Sequence, residues 1–269
     1  MKIAVITGAS SGMGREFVKK ISLKSSFDEI WVIARRMDRL EALKDEVDVS
    51  IRPISLDLTK KESIDEYAGL LREYEPEIGI LVNASGFGYF KEFDKAPLDG
   101  YYDMIALNDS AVVGITYVSL PYMRKGSQIF NICSVAAFQP TPYINVYAAT
   151  KAFALSFTRA LNVELKPRGI KALSVCPYWT KTEFFDTAVT DSTISYYQCM
   201  YDPEKVVERA IKDMDTAKDV SIYGKEARMN AFLTKLLPHK FVMKVFCSQQ
   251  KLPKRNNDEK YGQNRKEAL

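Results

Sequence analysis

Lys2-Ile3-Ala4-Val5-Ile6-Thr7-Gly8-Ala9-Ser10-Ser11-Gly12-Met13-Gly14 lies at the start of the chain, and its reading decides the fold. Residues 2–6 are a short apolar run bounded at once by glycine and serine, which predicts a strand buried on both faces. A helix is predicted to follow from about residue 15 to residue 23. Strand, glycine-rich turn and helix, in that order, make a cradle for a dinucleotide. Gly8 permits the tight turn, while Gly12 and Gly14 let a pyrophosphate and the helix approach the backbone. The free N–H groups of the helix N-terminus then face the phosphates. The spacing is G-x-x-x-G-x-G rather than the commoner G-x-G-x-x-G. A Gly-Ser turn without a ligand is the alternative; the flanking strand and helix favour the nucleotide.

Outward from this unit, apolar runs alternate with helical periodicity. Strands are predicted at 29–34, 47–55, 79–83, 127–132, 170–175 and 220–223. Asp38 with Glu41, and Thr59 with Glu62, have the spacing of capping boxes and predict helices beginning there. Residues 97–124 are predicted mostly helical, a helix through Tyr147 stops before Pro167 and Gly169, and Asp202-Pro203 opens another. The class is therefore α/β: a single doubly wound, Rossmann-type domain with a mainly parallel sheet of six or seven strands. With no composition break before residue 225, residues 1–225 are expected to form the Rossmann-type domain, residues 226–250 a helical extension packing on it, and residues 251–269 a polar, flexible tail.

Composition narrows the chemistry. Thirty-eight basic against 34 acidic residues leave a net charge of +4, too small an excess to imply nucleic acid. His239 is the one histidine, which argues against histidine-based triads and multi-histidine metal sites; no metal is expected. The four cysteines show no paired spacing, and Cys133 and Cys176, in apolar runs, read as buried thiols. No signal peptide precedes the first strand and no run reaches transmembrane length, so the cytoplasm is the expected compartment.

Tyr143-Ile-Asn-Val-Tyr147-Ala-Ala-Thr-Lys151 carries a second signal. On a helix Tyr147 and Lys151 share a face, one turn apart. An ammonium beside a phenol favours the phenolate, so the tyrosine is expected to titrate below its free value of about 10 and to exchange protons with an alcohol. A solvated i,i+4 pair is the bland alternative. The end of the second strand bears on cofactor choice. An acidic residue there reads the ribose of NAD; this chain has Ala34-Arg35-Arg36, whose guanidinium groups suit a 2′-phosphate, or else form a solvated basic turn. NADP(H) is thus favoured over NAD(H), with Asp38 better suited to a cap than to a ribose. Asp57 ends the third strand and Asn83-Ala84-Ser85-Gly86 the fourth; each is either a cofactor-facing turn or a simple strand end.

Together, Thr7 to Gly14, Asp57, Asn83 to Gly86, Asn108, Ser134, Tyr147-x-x-x-Lys151 and Pro177 through Thr182 resemble the short-chain dehydrogenase/reductase superfamily over residues 2–225. The resemblance implies an oxidoreductase that interconverts a secondary alcohol and a ketone. Tyr147 is the implied acid/base, Lys151 its activator and a ligand of the nicotinamide ribose, and Ser134 the partner of the substrate oxygen. Asn108 would hold a relay water. The implied cofactor set is Gly8, Ser10, Ser11, Gly12, Met13, Gly14, Arg35, Arg36, Asp57, Leu58, Asn83, Ala84, Ser85, Tyr147, Lys151, Pro177, Thr180 and Thr182. Two departures stand out: Asn83-Ala84-Ser85-Gly86 replaces Asn-Asn-Ala-Gly, and Pro177-Tyr178 replaces Pro-Gly. Members of the family are usually dimers or tetramers.

Aromatic residues follow the fourth strand (Phe87, Tyr89, Phe90, Phe93) and the sixth (Tyr178, Trp179, Phe184, Phe185). Phe87, Tyr89, Tyr178, Trp179 and Phe184 are the expected substrate contacts, implying a bulky apolar alcohol or ketone; a hydroxysteroid or bile acid fits by family analogy. The alternative is that these rings pack loops on the core. Residues 177–200 are expected to form a lid. Phe232, Leu233, Leu236, Leu237, Phe241, Val242, Val245 and Phe246 make helical apolar pairs around Pro238, with Lys235, Lys240 and Lys244 among them. Core packing or a subunit contact is favoured for them over a membrane surface. Within the enzyme class the runner-up is a general carbonyl reductase of lipids or xenobiotics. Outside it stands a non-catalytic nucleotide sensor on the same fold.

Overall fold

Branched apolar residues draw the first segment into a strand that is closed off on both faces. In the structure, a computed structural model describing residues 1–24, 26–216 and 218–252, Ile3, Ala4, Val5 and Ile6 are fully buried. Along the chain the elements are β1 (Lys2–Thr7), α1 (Gly12–Ser22), β2 (Glu29–Ala34), α2 (Met37–Glu41), β3 (Ser50–Ser55), α3 (Lys61–Tyr74) and β4 (Glu77–Asn83). Then come α4 (Leu98–Ile105), α5 (Ala111–Ser119), β5 (Met123–Ile132), α6 (Asn145–Leu165), β6 (Lys171–Val175) and α7 (Phe184–Ala188). The described chain ends with α8 (Pro203–Asp215), β7 (Val220–Ser221), α9 (Lys225–Leu236) and α10 (His239–Gln249).

All pairings are parallel, and the seven strands run in the order β3-β2-β1-β4-β5-β6-β7. The order reverses between β1 and β4, and a crevice opens there beyond the carboxyl ends of the strands. Successive residues of each strand serve opposite layers. Ala4, Ile6, Val32, Phe130 and Leu173 meet Phe17, Val18 and Ile21 of α1 and Val207 and Ala210 of α8. Ile3, Val5, Trp31, Leu81 and Ile129 meet Tyr67 and Leu71 of α3, Ile115 of α5 and Leu161 of α6.

Several boundaries differ from expectation. Neither capping box forms. Arg36, not Asp38, stands before α2, and Lys60 before α3. Thr59 instead gives its N–H and hydroxyl to Asp57 Oδ1, at 3.1 and 2.8 Å, so the oxygen meant for a cap is engaged in a turn. Residues 98–122 make a nearly continuous helical stretch that is long and apolar enough, by length and composition alone, to cross a membrane, contrary to the sequence expectation. Here its α5 portion packs on β4 and α3. A π turn, Ala106–Ser110, interrupts it and buries Asn108. The predicted third strand shortens to Ser50–Ser55 and the seventh to two residues. Residues 253–269 of the expected tail lie outside the described residues.

Candidate active site

The glycine turn is fixed by what surrounds it. Gly8 has φ +67°, and a Cβ there would sit 2.7 Å from the Ala84 carbonyl and the Ser85 nitrogen. At Gly14 a Cβ would come within 2.3 Å of the Gly8 oxygen. Side chains at either position would break the contact between the turn, α1 and the end of β4. Thr7 ties the same corner, its hydroxyl accepting the Ala84 and Ser85 N–H groups at 3.1 and 3.2 Å.

Beside this turn, at the end of β2, lies a charged cluster. Arg36 Nη2 donates to Ser10 Oγ and Ser11 Oγ at 3.0 Å each, and Nη1 to Glu183 Oε2 at 3.1 Å. Arg39 also reaches Glu183. Neither Arg39 nor Glu183 was singled out in the sequence: Arg39 is one turn along α2 from the strand end, and Glu183 arrives only through the tertiary fold. Burial works to raise the Asp57 carboxyl, but Thr59 and the charges of Arg35 and Lys60 outweigh it and hold it below its ordinary range.

The proton-transfer candidates gather at the carboxyl ends of β5 and β6. Tyr147 and Lys151 are buried on one face of α6, as the i,i+4 spacing requires, with the ammonium 5.7 Å from the ring centroid. Lys151 Nζ donates to the Ile132 carbonyl at 2.9 Å. Ser134, half-buried, takes the Ala136 N–H at 3.1 Å. Asn108 clamps the loop after β4. Its Nδ2 donates to the Phe87 carbonyl and to Thr150 Oγ1, each at 3.0 Å, and its Oδ1 accepts the Phe87 N–H at 3.2 Å. A Cβ at Gly86 would stand 2.9 Å from Asn108 Oδ1 and 3.3 Å from Lys151 Nζ, so a glycine lets these two side chains converge.

The expected fall in the tyrosine's titration is corrected by this geometry. Burial pushes the Tyr147 phenol above its ordinary value, and the Ser134 hydroxyl only partly offsets that. The ring lies against Phe90 and Phe184, at 5.9 and 5.4 Å between centroids. Lys151 is turned to a backbone carbonyl, and burial lowers its own ammonium in turn. The protein alone therefore keeps Tyr147 as a phenol at neutral pH.

A single cavity of about 1140 Å³ joins these groups. Its lining includes Gly8, Ser10, Ser11, Gly12, Met13, Gly14, Arg35, Arg36, Asp57, Leu58, Ala84 and Ser85. It also includes Ser134, Tyr147, Lys151, Pro177, Thr180 and Thr182, and the aromatic residues Phe87, Tyr89, Tyr178, Trp179 and Phe184. Two expected residues are absent from the wall. Asn83 turns away, giving Nδ2 to Asn131 Oδ1 at 2.8 Å and to Thr116 Oγ1 at 3.0 Å in a buried polar clip beneath the sheet ends. Asn108 lies behind the loop it clamps.

The aromatic segments both line the cavity and pack the loops on each other. Phe90 is buried as a hub against Tyr147, Trp179, Phe184 and Phe185, while Phe93 stacks on Tyr101 away from the cavity. The C-terminal helices supply a wall missed from the sequence. Leu233, Leu237, Phe241, Val245 and Phe246 line the cavity, and α9 packs on the 135–138 turn. Phe232 and Leu236 stay exposed.

The glycine cradle and the buried lysine fit a nicotinamide dinucleotide: backbone N–H groups for a pyrophosphate, an ammonium for a ribose. Comparisons with known proteins agree. The short chain dehydrogenase family model matches residues 2–193. An uncharacterised oxidoreductase of Staphylococcus epidermidis is 31% identical over 194 residues, covering 71% of this chain and 81% of its own. A short-chain dehydrogenase from Sphingobium yanoikuyae in complex with NADPH superposes with TM-score 0.75 at 29% identity, over 91% of this chain and 96% of that one. The bulky-bulky ketone specific alcohol dehydrogenase from Comamonas testosteroni superposes with TM-score 0.70 at 28% identity, over 91% and 94%. Sequence, sheet order and cavity thus converge on one assignment: this chain belongs to the short-chain dehydrogenase family and is an NAD(P)-dependent oxidoreductase.

Proposed function

We propose that the protein interconverts a ketone and a secondary alcohol, prefers NADP(H) to NAD(H), and takes a bulky apolar substrate such as a hydroxysteroid or bile acid. One observation carries this reading: the Tyr147 phenol, two cavity-lining arginines at the end of β2 and an aromatic wall share one cavity. The names of the Sphingobium and Comamonas relatives, an NADPH complex and a bulky-ketone enzyme, support the cofactor and the substrate class.

When bound, the nicotinamide supplies or accepts the hydride. Tyr147 is the proton donor to the developing alkoxide in reduction, and its raised titration keeps it in the protonated form that role needs. Ser134 holds the substrate oxygen together with the phenol, as an oxyanion-stabilising pair. Lys151 orients a ribose and places a positive charge beneath the phenol. Asn108 fixes the loop at Phe87 and, through Thr150, the α6 turn that bears Tyr147. Gly8, Ser10, Ser11, Gly12, Met13 and Gly14 hold the pyrophosphate, and Arg35 and Arg36 the 2′-phosphate. Asp57 and Leu58 would flank the adenine, Ala84 and Ser85 the ribose, and Pro177, Thr180 and Thr182 the carboxamide. Residues 177–200 close over the substrate as a lid.

A panel of ketones and secondary alcohols, steroids included, followed by nicotinamide absorbance with each cofactor, tests the reading. Turnover of a ketone bulky on both sides is expected, with kcat/KM at least about tenfold higher for NADPH than for NADH. Activity confined to small aldehydes, or equal use of the two cofactors, would contradict it.

A further inference from the structure

Glu183, just ahead of α7, reaches across to the end of β2. Its Oε2 accepts from Arg36 Nη1 at 3.1 Å and from Arg39 Nη1 at 2.6 Å, and its Oε1 accepts from Arg39 Nη1 at 2.7 Å. The other terminal nitrogen of Arg36 is given to the serines of the glycine turn. Arg36 thus joins three parts of the cavity: the glycine turn, the β2 end and the 177–200 segment. The Arg36, Arg39 and Glu183 side chains are 43%, 38% and 46% exposed, and Arg36 and Glu183 line the cavity, so an incoming anion can reach all three. Arg39 first, then Arg36, hold the Glu183 carboxyl below its ordinary range, so it is charged at neutral pH.

A phosphate monoester and a carboxylate recruit the same donors, the N–H pairs of a planar guanidinium. Here Arg39 Nη1 is divided between both oxygens of Glu183, and Arg36 Nη1 is committed to one of them. A 2′-phosphate placed at these arginines meets a carboxylate already bonded to them, and like charges at such range repel. A ribose with a free 2′-hydroxyl recruits neither guanidinium and displaces nothing.

We propose that Glu183 is a specificity-determining residue: it competes with the cofactor 2′-phosphate for Arg36 and Arg39 and so sets how strongly NADP(H) is preferred to NAD(H). This rests on the NADP reading given above. A tie that merely anchors the 177–200 segment would affect nucleotides with and without a 2′-phosphate alike, and that difference makes the idea testable.

Titration calorimetry on the full chain with 2′,5′-ADP and with 5′-AMP isolates the 2′-phosphate. Glu183→Gln is expected to tighten 2′,5′-ADP by about fivefold, the most that one exposed ion pair is ordinarily worth, and to leave 5′-AMP within about twofold. In a chain carrying Arg36→Ala and Arg39→Ala the same change gains nothing, as a double-mutant cycle requires. Glu183→Ala is the second variant, with circular dichroism and melting temperature confirming the fold of each. An unchanged or smaller preference for 2′,5′-ADP in both Glu183 variants, when the wild type itself discriminates, overturns the role of Glu183 alone. A wild type that binds both nucleotides equally overturns the NADP reading, and this inference with it.

Discussion

At the residue scale, burial disfavours the charged form of three neighbouring groups, Asp109, Tyr147 and Lys151. Asp109 shows this most plainly. It follows Asn108 on the π turn, its Oδ1 is buried and meets no hydrogen-bond donor among the described residues, and burial raises its carboxyl to about 7. Lys151 is the charge that opposes the rise. The sign follows from linkage: below the unfolded value of 3.8 the carboxyl is neutral in both states and costs nothing. Between 3.8 and about 7 the unfolded carboxyl ionises while the folded one stays protonated, so stability falls across that window and the loss is complete above it. Asp109→Asn should therefore raise the melting temperature at about pH 8.5 and change it little at about pH 4. Equal effects at both values would show that the carboxyl is not held neutral by the fold. The raised Tyr147 phenol follows the same logic, and the i,i+4 spacing could not reveal it. The spacing places Lys151 beside the ring, but the burial that raises the phenol, and the Phe90 and Phe184 rings packed against it, come from the tertiary fold.

Among elements, the aromatic part of the cavity wall is built by segments far apart in sequence. The loop after β4, the 177–200 segment with α7, and the pair α9–α10 meet over Tyr147. The aromatic residues of the first two were readable because they follow strands at the carboxyl edge, where a doubly wound sheet puts its ligands. The third was not. Its apolar pairs at helical spacing are the same whether they face a core, a subunit or a cavity. Leu237→Ala with Phe241→Ala should raise KM for a bulky ketone by about tenfold or more, the expected loss for two large apolar contacts, while NADPH affinity holds. Steady-state kinetics beside a cofactor titration checks it; an unchanged KM would mean these side chains do not touch substrate. The capping boxes failed for a local reason. Thr59 is used by Asp57, and α2 begins two residues earlier than its acid suggested. Asn83 misled in another way: its place at the end of β4 suits a cofactor contact, yet Thr116 and Asn131 take its side chain.

For the whole molecule, the doubly wound architecture was legible because each strand is a short apolar run and each crossover a helical period, and these are properties of local sequence. The glycine cradle between the first strand and the first helix follows from it, while the strand order is seen only in the structure. What stayed hidden depends on which distant side chains meet: the Glu183 cluster, the C-terminal wall and the polar clip at Asn83. One larger feature remains open to experiment. Tyr102, Ile105, Val113 and Tyr117 are exposed along α4–α5, and Phe153 and Val163 along α6, which packs beside α4. We propose that these exposed apolar side chains form a subunit contact. Sedimentation of the wild type is expected to give a dimer or tetramer, and Tyr117→Arg with Phe153→Arg a smaller species. A wild-type monomer would remove the subunit contact from the account.

The central claim is that the buried phenol of Tyr147 is the group that trades a proton with the substrate oxygen. Single-turnover reduction of a bulky ketone by Tyr147→Phe, with NADPH affinity measured on the same sample, tests it most directly. The rate should fall by about 10²–10⁴-fold, the usual worth of general acid–base help, while NADPH binds as in the wild type. A rate near that of the wild type would contradict the claim outright.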